Sequence, residues 1–144
     1  MDYASGFQIS ATGMAVEKMR LDITAANIAN MHSAGTSADK VYKPLRVISQ
    51  QVPLTFSHQF GQLYAVDGGA RVAAVEPQEV APRMVYEPGH PYADTKGFVA
   101  YPGVNHTSEM MNLNSALRAY EANVAAMNAA KTMAGRALDI GGNK

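Results

Sequence analysis

Apolar side chains recur along the last third of the chain at alternating steps of three and four. Positions 110, 113, 117, 120, 124, 127, 131, 134 and 138 carry Met110, Leu113, Leu117, Tyr120, Val124, Met127, Lys131, Ala134 and Leu138. Only Lys131 interrupts the stripe. Such stepping places every member on one side of a helix and is held for about four heptads, the pattern of a coiled-coil seam. It predicts a helix over residues 107–140. Asn105 or Thr107 can cap its start, Glu109 sits near the positive end of the helix dipole, and Gly141 and Gly142 can end it. At 1.5 Å per residue, Thr107–Leu138 would span roughly 48 Å, long for a chain of this size.

The same helix has a second face about 200° round from the seam at 3.6 residues per turn. Ser115, Ala119, Ala122, Ala126, Ala129 and Met133 line it. Alanine is the best helix former, so propensity alone could account for them. Small residues also let another helix approach closely. Gly135, which costs helix stability, favours close packing.

Residues 5–31 predict a second helix. Phe7, Ala11, Met14, Lys18, Leu21, Ala25 and Ile28 form one stripe, and Val16, Met19, Ile23 and Ala26 form another. A helix apolar on two sides must be covered on two sides. Two such helices cannot cover each other fully, and uncovered apolar surface marks a place of association. The expectation is self-assembly or docking through the terminal helices. A small helical domain whose β segment covers the remainder is the alternative. Near the end of this helix Asn27 and Asn30 lie three residues apart. They can serve as C-caps facing solvent, or hydrogen-bond across an interface.

Residues 37–104 hold all seven prolines and most of the Val/Phe/Tyr alternation, which predicts strands and turns. Val41–Val52 leans to β structure, with Pro44 disturbing its start. Leu54–Phe60 and Gln62–Val66 can form a hairpin. Asp67-Gly68-Gly69 is a turn signal before a strand at Ala70–Val75. Val80–Tyr86 is interrupted by Pro82, and a short strand at Phe98–Tyr101 follows Glu87-Pro88-Gly89-His90-Pro91. The fold class is therefore α+β: two long terminal helices in a coiled-coil-like layer with a small central β-rich segment. The chain divides into 1–36, an assembly helix and loop; 37–104, the β-rich region; and 105–144, the second assembly helix.

Composition narrows the chemistry. The chain has no cysteine, so disulfides, thiolate metal sites and cysteine nucleophiles are excluded. Twelve basic residues balance twelve acidic ones, a poor match for a phosphate backbone. Although 47% of residues are hydrophobic, no apolar run approaches the roughly 18 residues that would insert in a bilayer. The start, MDYASGFQIS, lacks the basic and apolar regions of a cleaved signal. Of the four histidines, none forms a metal-binding motif. His90 and Asp94 could together supply two ligands, but a turn held by local side-chain hydrogen bonds is the preferred reading. There is no phosphate-binding loop, dinucleotide fingerprint or nucleophile elbow. No catalytic, metal or cofactor site is expected.

The run Thr24-Ala25-Ala26-Asn27-Ile28-Ala29-Asn30, followed by Gly35-Thr36, resembles the N-terminal signature of the flagellar rod, hook and hook-associated axial proteins. Glu109-Met110, with Ser115-Ala116-Leu117-Arg118-Ala119-Tyr120-Glu121-Ala122-Asn123, is similar to that family's C-terminal motif. Between them, Val85–Asp94 and Gly97–Asn105 resemble the proximal-rod branch in particular. The family more usually has Ser at Ala26 and Asn at Gly103; the sequence attaches no structural consequence to either. The likeness covers roughly 5–36 and 83–140, with 37–82 matching loosely.

The resemblance implies a structural subunit of the proximal rod, the tubular drive shaft between motor and hook. Its partners would be other rod subunits and surrounding basal-body components, in a homo- and hetero-oligomeric helical assembly without nucleic acid or membrane insertion. It would lie in the periplasmic rod, exported by the flagellar type III apparatus without a cleaved signal. The residues expected at the assembly interface are Met14, Leu21, Asn27, Ile28, Asn30, Met110, Leu113, Leu117, Tyr120, Asn123, Val124, Met127 and Leu138. Another rod subunit, a non-flagellar helical interaction module or a ligand-binding domain are the competing readings.

Overall fold

The computed structural model describes residues 3–52 and 68–142. The expected hairpin at Leu54–Phe60 and Gln62–Val66 lies outside the described residues. Helix α1 spans Tyr3–Asn30 and helix α2 His106–Gly142. Between them come a short 3-10 turn at Ala38–Lys40 and strands β1 (Leu45–Gln51), β2 (Ala70–Pro77), β3 (Arg83–Tyr86) and β4 (Phe98–Tyr101). The α+β class read from the sequence is the observed one.

Among the described residues the expected elements are present, with shifted ends. β1 begins only after Pro44, which lacks the N–H a strand interior needs. β3 begins only after Pro82 for the same reason. Of the two candidate caps of α2 the chain uses Asn105: its Oδ1 accepts from the Ser108 N–H at 3.1 Å, satisfying one of the helix's free amide donors. At the other end α2 continues through Gly141 to Gly142 rather than stopping before them.

β1 pairs with β2, and β3 with β4. Gln78 N donates to the Pro44 carbonyl at 2.7 Å and Val52 N to the Gly69 carbonyl at 3.0 Å, so β1 and β2 run antiparallel. β3 and β4 are antiparallel in the register Arg83↔Tyr101 to Tyr86↔Phe98. That alternation puts Val85 and Val99 on one face and Met84, Tyr86 and Phe98 on the other. Val99 is fully buried, whereas Met84, Tyr86 and Phe98 are exposed.

Residue contacts divide the chain into two compact units. One comprises Met1–Met19, Ile48–Ala74 and Ala116–Lys144; the other comprises Arg20–Val47 and Val75–Ser115. Each draws on the N-terminal, central and C-terminal parts of the sequence. In the first, Val16 and Ala116 are buried, and Thr12 Oγ1 accepts from Ala70 N at 3.2 Å while donating to the Ile9 carbonyl. In the second, Val41, Val99 and Ala100 form the apolar interior, and Gly35 N bonds the Ala100 carbonyl at 3.0 Å.

Gly103 has a structural reason that its sequence context did not disclose. A Cβ there would collide with the Ala81 carbonyl oxygen and lie 2.7 Å from Val80 Cγ1. The carbonyl belongs to the backbone and cannot swing aside. The segment carrying Val80 and Ala81 packs this closely because position 103 has no side chain.

Candidate assembly surfaces

Asn27 sits on the last full turn of α1 and is 1% exposed. Its Oδ1 accepts from Leu45 N at 2.8 Å and from the Tyr42 hydroxyl at 2.8 Å. Its Nδ2 donates to the Leu45 carbonyl at 2.8 Å and to Glu109 Oε2 at 3.2 Å. A side-chain amide offers two donors and two acceptor sites, and here all four are engaged. The sequence offered solvent-facing capping or hydrogen bonding across an interface. The structure instead spends the whole amide inside the chain. Burial, and secondarily the Glu109 charge, pushes the Tyr42 hydroxyl's pKa above its ordinary value. Asn30 also bonds within its own helix, its Nδ2 donating to the Ala26 carbonyl four residues back at 2.8 Å.

Along α2 the inward side keeps Leu113, Tyr120, Met127 and Ala134 of the large apolar stripe and elsewhere leans toward the preceding residue. Glu109 and Ala116 are buried, while Leu113, Tyr120, Asn123, Met127, Ala130 and Ala134 are half-buried. These positions keep the alternating steps of four and three, with Ala116, Asn123 and Ala130 standing where Leu117, Val124 and Lys131 were expected. At Lys131 the inward position passes to Ala130, while Glu109 and Asn123 bring two polar side chains into the stripe. Ala116 has no exposed surface, while its neighbour Leu117 is 41% exposed.

The other expected interface residues divide by exposure. Met14, Leu21, Ile28 and Met110 are half-buried, as is Val124; Leu138 is exposed. In the unit that contains them, Ala122, Ala126, Ala129, Met133 and Ile140 of α2 are all exposed and share one side of the helix. Met111 and Ser115, in the other unit, are exposed too. Apart from Ala119, which is half-buried, the small-residue face is thus uncovered among the described residues. Gly135 has no neighbour within 4 Å of the position its Cβ would take.

His90 and Asp94 build a turn. Tyr92 N donates to His90 Nδ1 at 3.1 Å, and Asp94 Oδ1 accepts from Lys96 N and Phe98 N at 2.8 and 2.9 Å. These backbone donors, that of Phe98 foremost, hold the Asp94 pKa below its ordinary value. Both side chains are occupied by the connection between β3 and β4, in agreement with the turn reading.

The family model for the flagellar basal body rod FlgEFG protein C-terminal region matches residues 95–140, which carry β4 and nearly all of α2. The flagellar basal-body rod protein FlgC of Yersinia enterocolitica is 35% identical over 135 residues, covering 94% of this chain and 95% of the relative. That of Bacillus subtilis is 34% identical over 143 residues, with 92% and 94% covered. That of Borreliella burgdorferi is 32% identical over 155 residues, with 97% and 98% covered.

The chain belongs to the FlgC family.

It is accordingly a structural subunit of the flagellar basal-body proximal rod. Its length is that of the FlgC relatives, which it matches almost end to end. The N-terminal signature contains Asn27 and the C-terminal motif begins at Glu109, so the two motifs meet in one hydrogen bond. Sequence reasoning missed Tyr42 and Glu109 as partners of Asn27. Lying 15 and 82 positions away, they follow no local period.

Proposed function

We propose that this chain builds the wall of the proximal rod by burying, against neighbouring subunits, the helix faces it leaves exposed. The observation that carries this reading is the uncovered side of α2, where Met133 is 54% and Ile140 82% exposed beside Ala122, Ala126 and Ala129. Apolar surface of this kind is a liability on a monomer and a contact in a polymer. The alanines allow the backbone of a neighbouring helix to approach within the usual 8–10 Å interaxial distance or less. Leu117 and Leu138 offer apolar contacts on other parts of the helix surface. Met14, Leu21, Ile28, Asn30, Met110, Leu113, Tyr120, Asn123, Val124 and Met127, each half-buried, keep surface for a neighbour. Asn27 is left out of this interface because its amide is fully engaged within the chain.

In this reading residues 1–36 and 105–144 are the assembly segments, and 37–104 lies on the outside of the tube. The partners are other copies and other rod subunits, together with surrounding basal-body components. The chain reaches the periplasm through the flagellar export apparatus. Its work is mechanical: the assembled tube transmits torque from motor to hook, and no step calls for a catalytic group or cofactor.

The variants Ala122→Leu and Ala126→Leu test this. Both keep helix propensity nearly unchanged and add bulk where the single chain has space. If a neighbour packs there, overpacking costs roughly 1–3 kcal/mol per contact in every copy. A deletion strain supplied with either variant is expected to swim poorly while the purified monomer melts as the parent does. Unimpaired swimming with both would return the alanines to a role in helix propensity alone.

A further inference from the structure

The four bonds of Asn27 are of two kinds. Leu45 gives and receives one each, N–H to Oδ1 and carbonyl from Nδ2, both at 2.8 Å. A side-chain amide meeting a backbone residue at both its N–H and its carbonyl reproduces one rung of a β-ladder, with the helix supplying the second strand's share. Leu45 is the first residue of β1. The remaining two bonds set which way round the amide sits. Glu109 Oε2 accepts from Nδ2 on one side, and the Tyr42 hydroxyl donates to Oδ1 on the other. Flipping the amide would set its oxygen against the Leu45 carbonyl and the Glu109 carboxylate together, and its NH₂ against the Leu45 N–H.

We propose that Asn27 is the positioning residue that seats the start of β1 on α1, with Tyr42 and Glu109 acting through it by fixing its amide in one orientation. The direction in which the central segment leaves the helix is then set by a side chain of the helix, in addition to the pairing of β1 with β2. Few residue types meet the requirement. Aspartate is acceptor-only when ionised, serine and threonine are too short to span both backbone groups, and glutamine is one methylene too long for the same geometry. The inference concerns the free subunit, so it stands or falls separately from whether the exposed faces of α2 assemble.

The test is amide exchange on the full-length chain, read residue by residue by NMR. Asn27→Ala is expected to speed exchange at the Leu45 amide at least tenfold while Val99, in the interior of the same unit, changes less than threefold. Equal loss of protection at Leu45 and Val99 would overturn the proposal, because Asn27 would then contribute only to general stability. An unchanged Leu45 amide would overturn it as well. Should Asn27→Ala fail to fold, the parent chain decides. Its two Asn27 Nδ2 protons are expected to exchange at least tenfold more slowly than those of the exposed Asn128, and Glu109→Gln should shift the Asn27 Nδ2 resonances more than Tyr42→Phe does. Asn27 side-chain protons exchanging as fast as those of Asn128 would refute it.

Discussion

The amide of Asn123 fills the space that a side chain on Gly13 would need: its Oδ1 lies 2.7 Å from where a Cβ would stand. The amide is held there by its own bond from Nδ2 to the Ala119 carbonyl at 2.9 Å. Gly13, a weak helix former in the middle of α1, is explained by this approach. Gly13→Ala would gain up to about 1 kcal/mol of helix propensity. Against this stands overpacking of roughly 1–3 kcal/mol, since Asn123 must give up its position. The variant is expected to melt at or below the parent's temperature. Gly13→Ala with Asn123→Ala, which removes the obstruction, should melt above Gly13→Ala alone. Thermal melts of the three chains followed by circular dichroism check the order.

Ala116 and Leu117 are adjacent yet separable. Ala116→Leu inserts three carbons at a position with no exposed surface, and should destabilise the folded subunit by roughly 1–3 kcal/mol. Leu117→Asp places a charge on a side chain that is 41% exposed, where water can still reach it. It should cost the monomer less than Ala116→Leu, yet abolish swimming, because the same charge is desolvated in a packed contact. Denaturant melts and a motility assay on both variants check the contrast. Normal motility with Leu117→Asp would remove this position from the interface.

Gly103→Asn, which restores the residue more usual in the family, is expected to destabilise this chain. The Ala81 carbonyl and Val80 occupy the space, and relieving the collision requires the backbone of that segment to move. A loss of roughly 1–3 kcal/mol is the scale of such overpacking, read as a lower denaturant midpoint. Amide exchange should quicken first around Gln78 and Val80, whose N–H groups bond the Pro44 and Gln78 carbonyls.

The Asp94 turn is predicted to respond to acid. Its pKa in the folded chain lies below the ordinary 3.8, so the folded state favours the ionised form. The turn's stabilisation is therefore fully present above pH 3.8 and is lost as the pH falls below that value through the folded pKa. The Lys96 and Phe98 amide resonances, whose N–H groups bond Asp94 Oδ1, should move with one midpoint below 3.8. Asp94→Asn should abolish that midpoint.

The two helices were legible because their periods are long and no proline interrupts them. Phe98–Tyr101 was legible because Gly97 and Pro102 bound it. What the apolar pattern placed only in part was the inward side of α2. Hydrophobic periodicity follows the largest side chains, whereas the chain turns Ala116, Asn123 and Ala130 inward and leaves Leu117 partly in water. Small and amide side chains carry little hydrophobic signal, yet they permit the close approach that Gly13 and Asn123 make. The role of Asn27 was hidden for a different reason. Its partners at Tyr42, Leu45 and Glu109 are brought to it only by the folded chain. The consequence of Gly103 was hidden likewise, because it depends on the path of a segment more than twenty positions earlier.

The most direct test of the account is the fate of the rod when the uncovered side of α2 is given a charge. Met133→Asp alters a side chain that is 54% exposed and should leave the free subunit's melting temperature unchanged within a few degrees. Basal bodies isolated from a deletion strain supplied with this variant should be imaged by electron microscopy, with export of the subunit followed in parallel. The account predicts exported protein and basal bodies without a rod. Rods of normal length and frequency built from Met133→Asp subunits would contradict it.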